Sequence, residues 1–360
     1  MERIWKKIIR RRRFSLWTIP AFLLWLVSLV YRLIIRIRTK EITPEIKCSV
    51  PVISVGNITV GGTGKTPLVA MLADRLMKEG VRVGIVSIGY KRQSEESFIE
   101  EGYKVQQMAT ADTGDEVKHL AYLLPDAVFS VHEEKSIAAQ LLDEQKLVDV
   151  IIVDDGFQHR KLHRDLDIVA YDAAIKKRYL KPFPYGLMRE PHRALRRADI
   201  IILTRIKFAY DIFALQKKIK RYAPNAIHYN ARFDANQIIG KDQIWPVKYL
   251  EDKSVFLFAG IGNFKMLKKQ VFALCTDLDY AMELSDHQQY DQELLEHIKK
   301  KADEFDSDLI LTTGKDWVKL ENFDFGREIY YLDQNIDLDP GEEKLLNYII
   351  DKFNLKQQAQ

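Results

Sequence analysis

Two stretches of the chain carry side chains suited to handling phosphate. The first, P-V-I-S-V-G-N-I-T-V-G-G-T-G-K-T-P from Pro51 to Pro67, is an apolar β-branched run that enters a glycine-rich turn. Small residues at Gly61, Gly62, Thr63 and Gly64 let successive backbone N–H groups point inward around phosphate oxygens, and a helix beginning there adds its positive end. Lys65 is placed to put a point charge on the β and γ phosphates, and the Thr66 hydroxyl can ligate Mg²⁺. A strict P-loop has glycine at position 59, where this chain has Thr59; the glycine is displaced to Gly56 or doubled at Gly61. A glycine-rich strand-to-helix turn with a chance G-K-T is the competing reading.

The second stretch, V-D-V-I-I-V-D-D-G-F-Q-H-R from Val148 to Arg160, is an apolar strand ending in Asp154 and Asp155. A carboxylate pair at a strand's carboxyl end lies in the crevice where α/β folds bind ligands, and beside a P-loop it serves to hold Mg²⁺. His159 and His163 have helical metal spacing, but no third ligand accompanies them, which argues against zinc. The guanine-reading N-K-x-D of regulatory GTPases is missing; T-G-K-D at Thr313 to Asp316 has its Lys and Asp adjacent. Adenine, or a loosely read base, is favoured.

These motifs need a parallel sheet with crossover helices, and the hydrophobic pattern predicts one. Strands are expected at Val50–Val55, Val81–Ser87, Ala127–Val131, Val148–Asp154, Leu166–Tyr171 and Asp199–Thr204, with amphipathic helices at Pro67–Glu79, Asp115–Leu124 and Glu133–Gln145. The text from 223 to 250 turns polar and weakly alternating, which suggests short strands acting as a connector. A second, smaller α/β unit follows, with a strand and turn from Ser254, a helix to about Ala273, strands near Asp308–Thr312 and Glu328–Leu332, and a final helix over Gly341–Phe353. The expected organisation is an N-terminal arm over 1–40, a P-loop domain over 41–222, a β connector over 223–250 and a small α/β domain over 251–360.

The arm is a separate physical object. Residues 1 to 40 hold eleven Lys and Arg against the single acid Glu2, a balance of +10 within a formal net charge of +4, so the remainder carries −6. A basic arm on an acidic body argues against a nucleic-acid-binding body and for an arm that meets an anionic surface, either a membrane or nucleic acid. The uncharged run Phe14–Tyr31, with Arg10 to Arg13 before it and Arg32, Arg36 and Arg38 after it, decides for membrane. It fits a transmembrane helix, an interfacial helix or the core of a signal peptide. No small-residue cleavage site follows it, and basic residues on both flanks suit a segment lying in one leaflet better than one crossing. Trp5, Trp17, Trp25 and Tyr31 are candidate interface anchors. The two cysteines, Cys48 and Cys275, are too few for a disulfide framework and are expected to be reduced and structural.

Taken in order, V-G-N-I-T-V-G-G-T-G-K-T-P, G-D-E at Gly114–Glu116, D-D-G-F-Q-H, P-Y-G-L-M-R-E-P at Pro184–Pro191, L-S-D-H-Q-Q-Y at Leu284–Tyr290 and T-T-G-K-D-W at Thr312–Trp317 resemble the tetraacyldisaccharide 4'-kinase family. The similarity runs from the arm to about Thr204 and resumes in the second unit. It implies transfer of the ATP γ-phosphate, with Mg²⁺, to the 4'-hydroxyl of an acylated glucosamine disaccharide 1-phosphate, giving lipid IVA in lipid A biosynthesis. The site implied is the cytoplasmic face of the bacterial inner membrane, with no nucleic acid and no obligate protein partner. Carried over motif to motif, the resemblance makes Asp115 the catalytic base and His287 its partner, bridging the two domains. Lys65 joins them in catalysis, Asp154 and Asp155 join Thr66 around Mg²⁺, and Asn57, Gln158, His159 and Arg189 are the substrate-binding candidates.

Ordinary readings compete at several of these positions. Asp115 suits an acidic helix start, His287 a turn, and Arg189 a salt bridge to a neighbouring acid as well as an anionic substrate. The chain departs from the family where S-R-G-Y-G is common: it reads S-I-G-Y-K-R, with Ile88 in place of arginine and Lys91 or Arg92 as the stand-in charge. A membrane-attached nucleotide switch with no small acceptor is the alternative from another functional class, and a soluble-substrate kinase or an ATP-driven metal-insertion protein is a third; acceptor-dependent ATP turnover separates them.

Overall fold

The computed structural model describes residues 2–11, 15–38, 43–320 and 323–355; Arg12, Arg13 and Phe14 of the expected arm lie outside them. Among the described residues thirteen strands make one sheet: β1 Val52–Gly56, β2 Val83–Ser87, β3 Phe98–Glu101, β4 Val128–Val131, β5 Val150–Asp154, β6 Leu166–Asp172, β7 Ile200–Thr204, β8 Ile227–Ile239, β9 Ile244–Pro246, β10 Ser254–Ala259, β11 Asp277–Glu283, β12 Leu309–Thr312 and β13 Ile329–Asp339. Their order is β11-β10-β12-β13-β8-β7-β6-β1-β5-β2-β4-β3, with β9 paired to β8.

From β7 to β4 the pairings are parallel, and β3 closes the edge antiparallel to β4. This half is doubly wound. Along β5 all five residues are buried, and alternate side chains serve opposite cores: Val150 and Ile152 face one, Ile151 and Val153 the other. Such a strand, covered on both faces, reads as a continuous apolar run.

The 223–250 region is not a set of short strands only. It contains β8, thirteen residues long, which pairs with β7 only through Ile227–Asn230 and then continues as an antiparallel ribbon with β13. At the far end of that ribbon, Ile329 to Tyr331 pair with β12. Strands β10 and β12 therefore run opposite to β7 and are displaced along the ribbon. The carboxyl ends of the two parallel half-sheets face each other across one crevice.

The helix Lys65–Lys78 follows β1, Asp115–Leu123 crosses toward β4, and Lys135–Glu144 follows β4. The final helix, Glu342–Phe353, buries Leu345, Ile349 and Ile350 in the first half's core beside Leu72 and Leu76. Arg75 reaches Glu342 at 3.0 Å across the same contact.

At the amino terminus a short helix, Glu2–Ile9, precedes the long helix Thr18–Arg38. The segment Thr18–Ile37 has the length and composition to cross a membrane, and only 11% of its apolar window is buried against the protein. It runs past Tyr31, where the uncharged stretch stops, since the exposed Arg32 and Arg36 are good helix formers.

Candidate functional site

The phosphate loop is built by strain at two glycines and closed by two hydroxyls. Gly61 and Gly64 have φ of +106° and +88°, values that disfavour any side chain. Thr59, by contrast, is not in the left-handed region; it is buried and pairs with Met188 as a β-bridge. That is why threonine is tolerated where a strict P-loop has glycine. Asn57 Nδ2 donates to Thr63 Oγ1 at 2.9 Å, and the Thr204 hydroxyl, at the end of β7, donates to the Thr63 carbonyl at 2.9 Å.

Asp154 and Asp155 end β5 beside this loop. Asp155 takes a left-handed conformation, φ +52°, that turns its carboxylate back toward Lys65 and Arg189. Lys65 Nζ lies 3.5 Å from its Oδ1, and Arg189 Nη1 donates to its Oδ2 at 2.7 Å. Burial disfavours the charge on Asp155, but Lys65, Arg189 and Lys135 outweigh it and hold the carboxyl well below the usual range. Asp154 goes the other way: burial, reinforced by Glu116, raises its proton affinity. Its Oδ1 is buried without a hydrogen-bond partner.

An orphaned carboxylate oxygen with Glu116 nearby, next in sequence to Asp155 and at the end of the strand beside the loop that carries the buried Thr66, fits a divalent cation. Asp155 Oδ1 is likewise buried without a hydrogen-bond partner, with the Lys65 ammonium 3.5 Å away, so Thr66, Asp154 and Asp155 can each offer an oxygen.

The turn itself is held from behind. Lys135 is 3% exposed, and its Nζ donates to the carbonyls of Asp154 at 2.6 Å and Asp155 at 2.9 Å. Burial depresses its pKa, partly offset by the two aspartates. Nothing in H-E-E-K-S marks this lysine, since charged residues at a helix start read as solvent-facing. Lys135→Met should destabilise the fold by about 3 kcal/mol, because two buried carbonyls lose a charged donor. Chemical denaturation of the purified variant checks this; an unchanged midpoint would mean the turn is self-supporting.

Gln158 and His159 follow. Gln158 Nε2 is shared between the Asn57 carbonyl, 2.8 Å, and Glu190 Oε1, 2.9 Å, leaving its own Oε1 buried and unpartnered. His159 is half-buried, and burial, with Lys135 next, lowers its pKa to about 4, so it is neutral at ordinary pH. His163 stands 3.5 Å from Asp165.

Arg189 joins two regions. Its guanidinium meets Asp155, realising the ion pair allowed for by the sequence, and its backbone carbonyl accepts the Tyr31 hydroxyl of the long amino-terminal helix at 2.9 Å. The loop around it is tied to the same arm by Trp5 Nε1, which donates to the Pro184 carbonyl at 2.7 Å, and by Arg11 over the Tyr185 ring at 5.4 Å. Between the helix and this loop lies a cavity of about 660 Å³, lined by Tyr31, Arg32, Arg36, Lys181, Arg189 and His192 among others.

Across the crevice, Asp115 and His287 come together although 172 residues apart: His287 Nδ1 lies 2.8 Å from Asp115 Oδ2. Asp115 is the first residue of its helix, whose N-cap is Gly114 with no side-chain cap hydrogen bond. Its Oδ1 is buried and unpartnered. Burial works against ionisation here, but the His287 hydrogen bond and the charges of His287, Lys319 and Lys315 prevail, so the carboxyl lies below its ordinary value. Next to it Glu116 pairs with Lys315. Arg92, one of the two stand-ins for the family arginine, is turned onto the carbonyls of Glu96 and Glu95, at 2.5 and 3.4 Å. Lys91 stands 5.8 Å from the centre of the Tyr90 ring.

Residues 20–354 match the family model described as Tetraacyldisaccharide-1-P 4'-kinase. A tetraacyldisaccharide 4'-kinase of Geobacter metallireducens is 34% identical over 304 residues, covering 83% of this chain and 88% of its own. The enzyme of the same name from Aquifex aeolicus is 34% identical over 306 residues, covering 84% and 88%. A crystal structure of LpxK from Aquifex aeolicus in complex with ATP superposes with a TM-score of 0.70 at 31% identity, over 91% of this chain and 98% of that one.

Proposed function

The chain belongs to the Tetraacyldisaccharide-1-P 4'-kinase family, and on that premise we propose how its own residues carry the reaction. It is an ATP-dependent kinase that transfers the γ-phosphate of ATP to the 4'-hydroxyl of a tetraacyldisaccharide 1-phosphate, a step of lipid A biosynthesis. The backbone N–H groups from Gly61 to Thr66 cradle the triphosphate, and Lys65 bears on the oxygens that gain charge as the bond between the γ-phosphorus and the β,γ-bridging oxygen breaks. Thr66 and Asp154, with Asp155 behind them, would hold Mg²⁺, which supplies charge neutralisation on the phosphates.

The acceptor oxygen attacks the γ-phosphorus, the bond to ADP breaks with its electron pair, and the hydroxyl proton passes to Asp115. A carboxyl as acidic as Asp115 is a weak base toward a sugar hydroxyl. It takes the proton late, once the new O–P bond has made that oxygen acidic, in keeping with a loose transition state. The free Oδ1 is the receiving atom, since Oδ2 is engaged by His287. Asn57, Gln158, His159 and Arg189 are proposed to position phosphate and sugar. The proposed division into nucleotide unit (41–222), connector (223–250) and acceptor-side unit (251–360) supplies Asp115 from one side of the crevice and His287 from the other, although the final helix of the last segment packs back on the first unit's core.

One observation carries the lipid reading. Arg189 touches the Asp155 carboxylate beside the phosphate loop with its side chain and the exposed apolar helix with its backbone, so the nucleotide end of the site and the helix that would meet the acceptor's acyl chains are joined at one residue. We place the acylated sugar in the cavity beside that helix, with the helix in the membrane surface at the cytoplasmic face, where ATP is available.

The test is transfer of label from γ-labelled ATP to a purified tetraacyl glucosamine disaccharide 1-phosphate in detergent micelles. Labelled lipid establishes the transfer; ATP hydrolysis that ignores the lipid would favour the nucleotide-switch reading. In the same assay, removing residues 1–38 should raise the KM for the acylated substrate by about tenfold or more, against less than about threefold for ATP. Equal KM values for the lipid would sink the anchoring argument.

A further inference from the structure

The second unit's T-G-K-D-W-V-K stretch carries two lysines four residues apart, and both reach back to the start of the helix Asp115–Leu123. Lys315 pairs with Glu116. The Lys319 side chain is only 7% exposed; its Nζ lies 3.5 Å from Asp115 Oδ2 and 3.3 Å from Asp316 Oδ1, and donates to the Gln288 carbonyl at 3.0 Å. Asp316, fully buried, accepts from the Gly260 N–H at 3.0 Å, the Tyr290 hydroxyl at 2.9 Å and the Thr313 hydroxyl at 2.7 Å.

These contacts enclose His287. It holds a left-handed backbone, φ +56°, uncommon for a residue with a side chain. Its N–H donates to the Gly260 carbonyl at 3.0 Å, and its ring meets Tyr90 edge-on at 5.2 Å. The residue after it is held by Lys319, and Tyr290, three residues on, is held by Asp316. Taking an ammonium out of water costs several kcal/mol, and two carboxylates and a carbonyl offset that here. The same ammonium is the cation that reaches both Asp115 and the loop of His287.

We propose that Lys319 is a positioning residue for phosphoryl transfer: its ammonium, 3.5 Å from Asp115 Oδ2, holds that carboxylate in place and, through the Gln288 carbonyl, sets the backbone that presents the His287 ring. The proposal rests on Asp115 being the group that takes the acceptor's proton. The charged and titratable groups facing Asp115 are His287, Lys319, Lys315 and Tyr290 from the second unit, with Glu116 and His119 on its own helix. Of these, Lys319 and Lys315 are the cations, and Lys315 has Glu116 as its own partner.

The experiment is the pH profile of kcat/KM for the full chain in micelles, with ATP and the tetraacyldisaccharide 1-phosphate, for wild type, Lys319→Met, Lys319→Arg and Asp115→Asn. An essential base is active when deprotonated, so removing a neighbouring cation raises its pKa and moves the acidic limb to higher pH. Lys319→Met should shift that limb up by at least about one unit and lower kcat by about 10- to 100-fold, with the KM for ATP within about twofold of wild type. Lys319→Arg, which keeps the charge, should leave the limb in place with kcat between the two. A folded Lys319→Met with its limb unmoved overturns the proposal. If that variant does not fold, a Lys319→Arg limb displaced from wild type overturns it and one in place supports it. An active Asp115→Asn removes the base reading and this proposal with it; an inactive one beside an unmoved Lys319→Met limb removes only the role of Lys319.

Discussion

Lys65→Met is expected to lower kcat for transfer to the lipid by roughly 10³-fold, about 4 kcal/mol of transition-state stabilisation, while ATP affinity falls only about tenfold. The asymmetry follows from where charge develops. On the proposed reading, most of the ground-state hold on the triphosphate comes from backbone N–H groups between the two left-handed glycines, and these survive the substitution. The lysine is proposed to act on the oxygens that become more negative as the γ-phosphorus leaves ADP. Methionine keeps the length and most of the volume of the side chain. Asp155 also retains Arg189 and Lys135 as cationic neighbours, so the Asp154–Asp155 turn has no reason to rearrange. Single-turnover transfer and equilibrium binding of a nucleotide analogue separate the two effects. A loss confined to binding would show that Lys65 serves the ground state and the transition state alike.

Asp115→Asn should cost about 10³-fold in kcat, and His287→Ala about 10- to 100-fold, with melting temperatures close to wild type. Asparagine preserves the shape and can still accept from His287, but it cannot take the proton. The acidic-start reading of Asp115 makes the opposite forecast: a stability loss of about 0.5 kcal/mol from the helix dipole and no kinetic defect. Because no side-chain cap hydrogen bond is made there and the Oδ1 atom is buried without a partner, the kinetic outcome is the one expected. Removing both residues together should cost little more than removing Asp115 alone, since the imidazole acts through the carboxylate. Additive losses would show that His287 has a task of its own.

How far the site could be read from the residues depended on how local each part is. The phosphate loop and the paired aspartates sit within a few positions of the strands that aim them, so their types and spacing suffice. Asp115 and His287 are in reach of each other only because the β8–β13 ribbon turns two half-sheets face to face. No spacing rule spans that distance, and only the family resemblance brought them forward. Lys135 and Lys319 were invisible for a different reason. A lysine's burial is decided by what packs over it, and these two are covered by carbonyls and carboxylates from distant segments. The length of β8 was under-read because much of the strand is exposed, so its sequence is polar and its alternation weak.

The final helix has a consequence for how the protein is made. Leu345, Ile349 and Ile350 complete the core that contains Leu72 and Leu76, yet they are synthesised only after every strand of the sheet. The apolar helix Thr18–Arg38 comes out of the ribosome long before them and can meet a bilayer while translation continues, at about 5 to 20 residues per second. The nascent nucleotide-binding half therefore waits with an open apolar face beside Leu72 and Leu76. Membrane attachment can come first, and the ability to grip ATP firmly comes last.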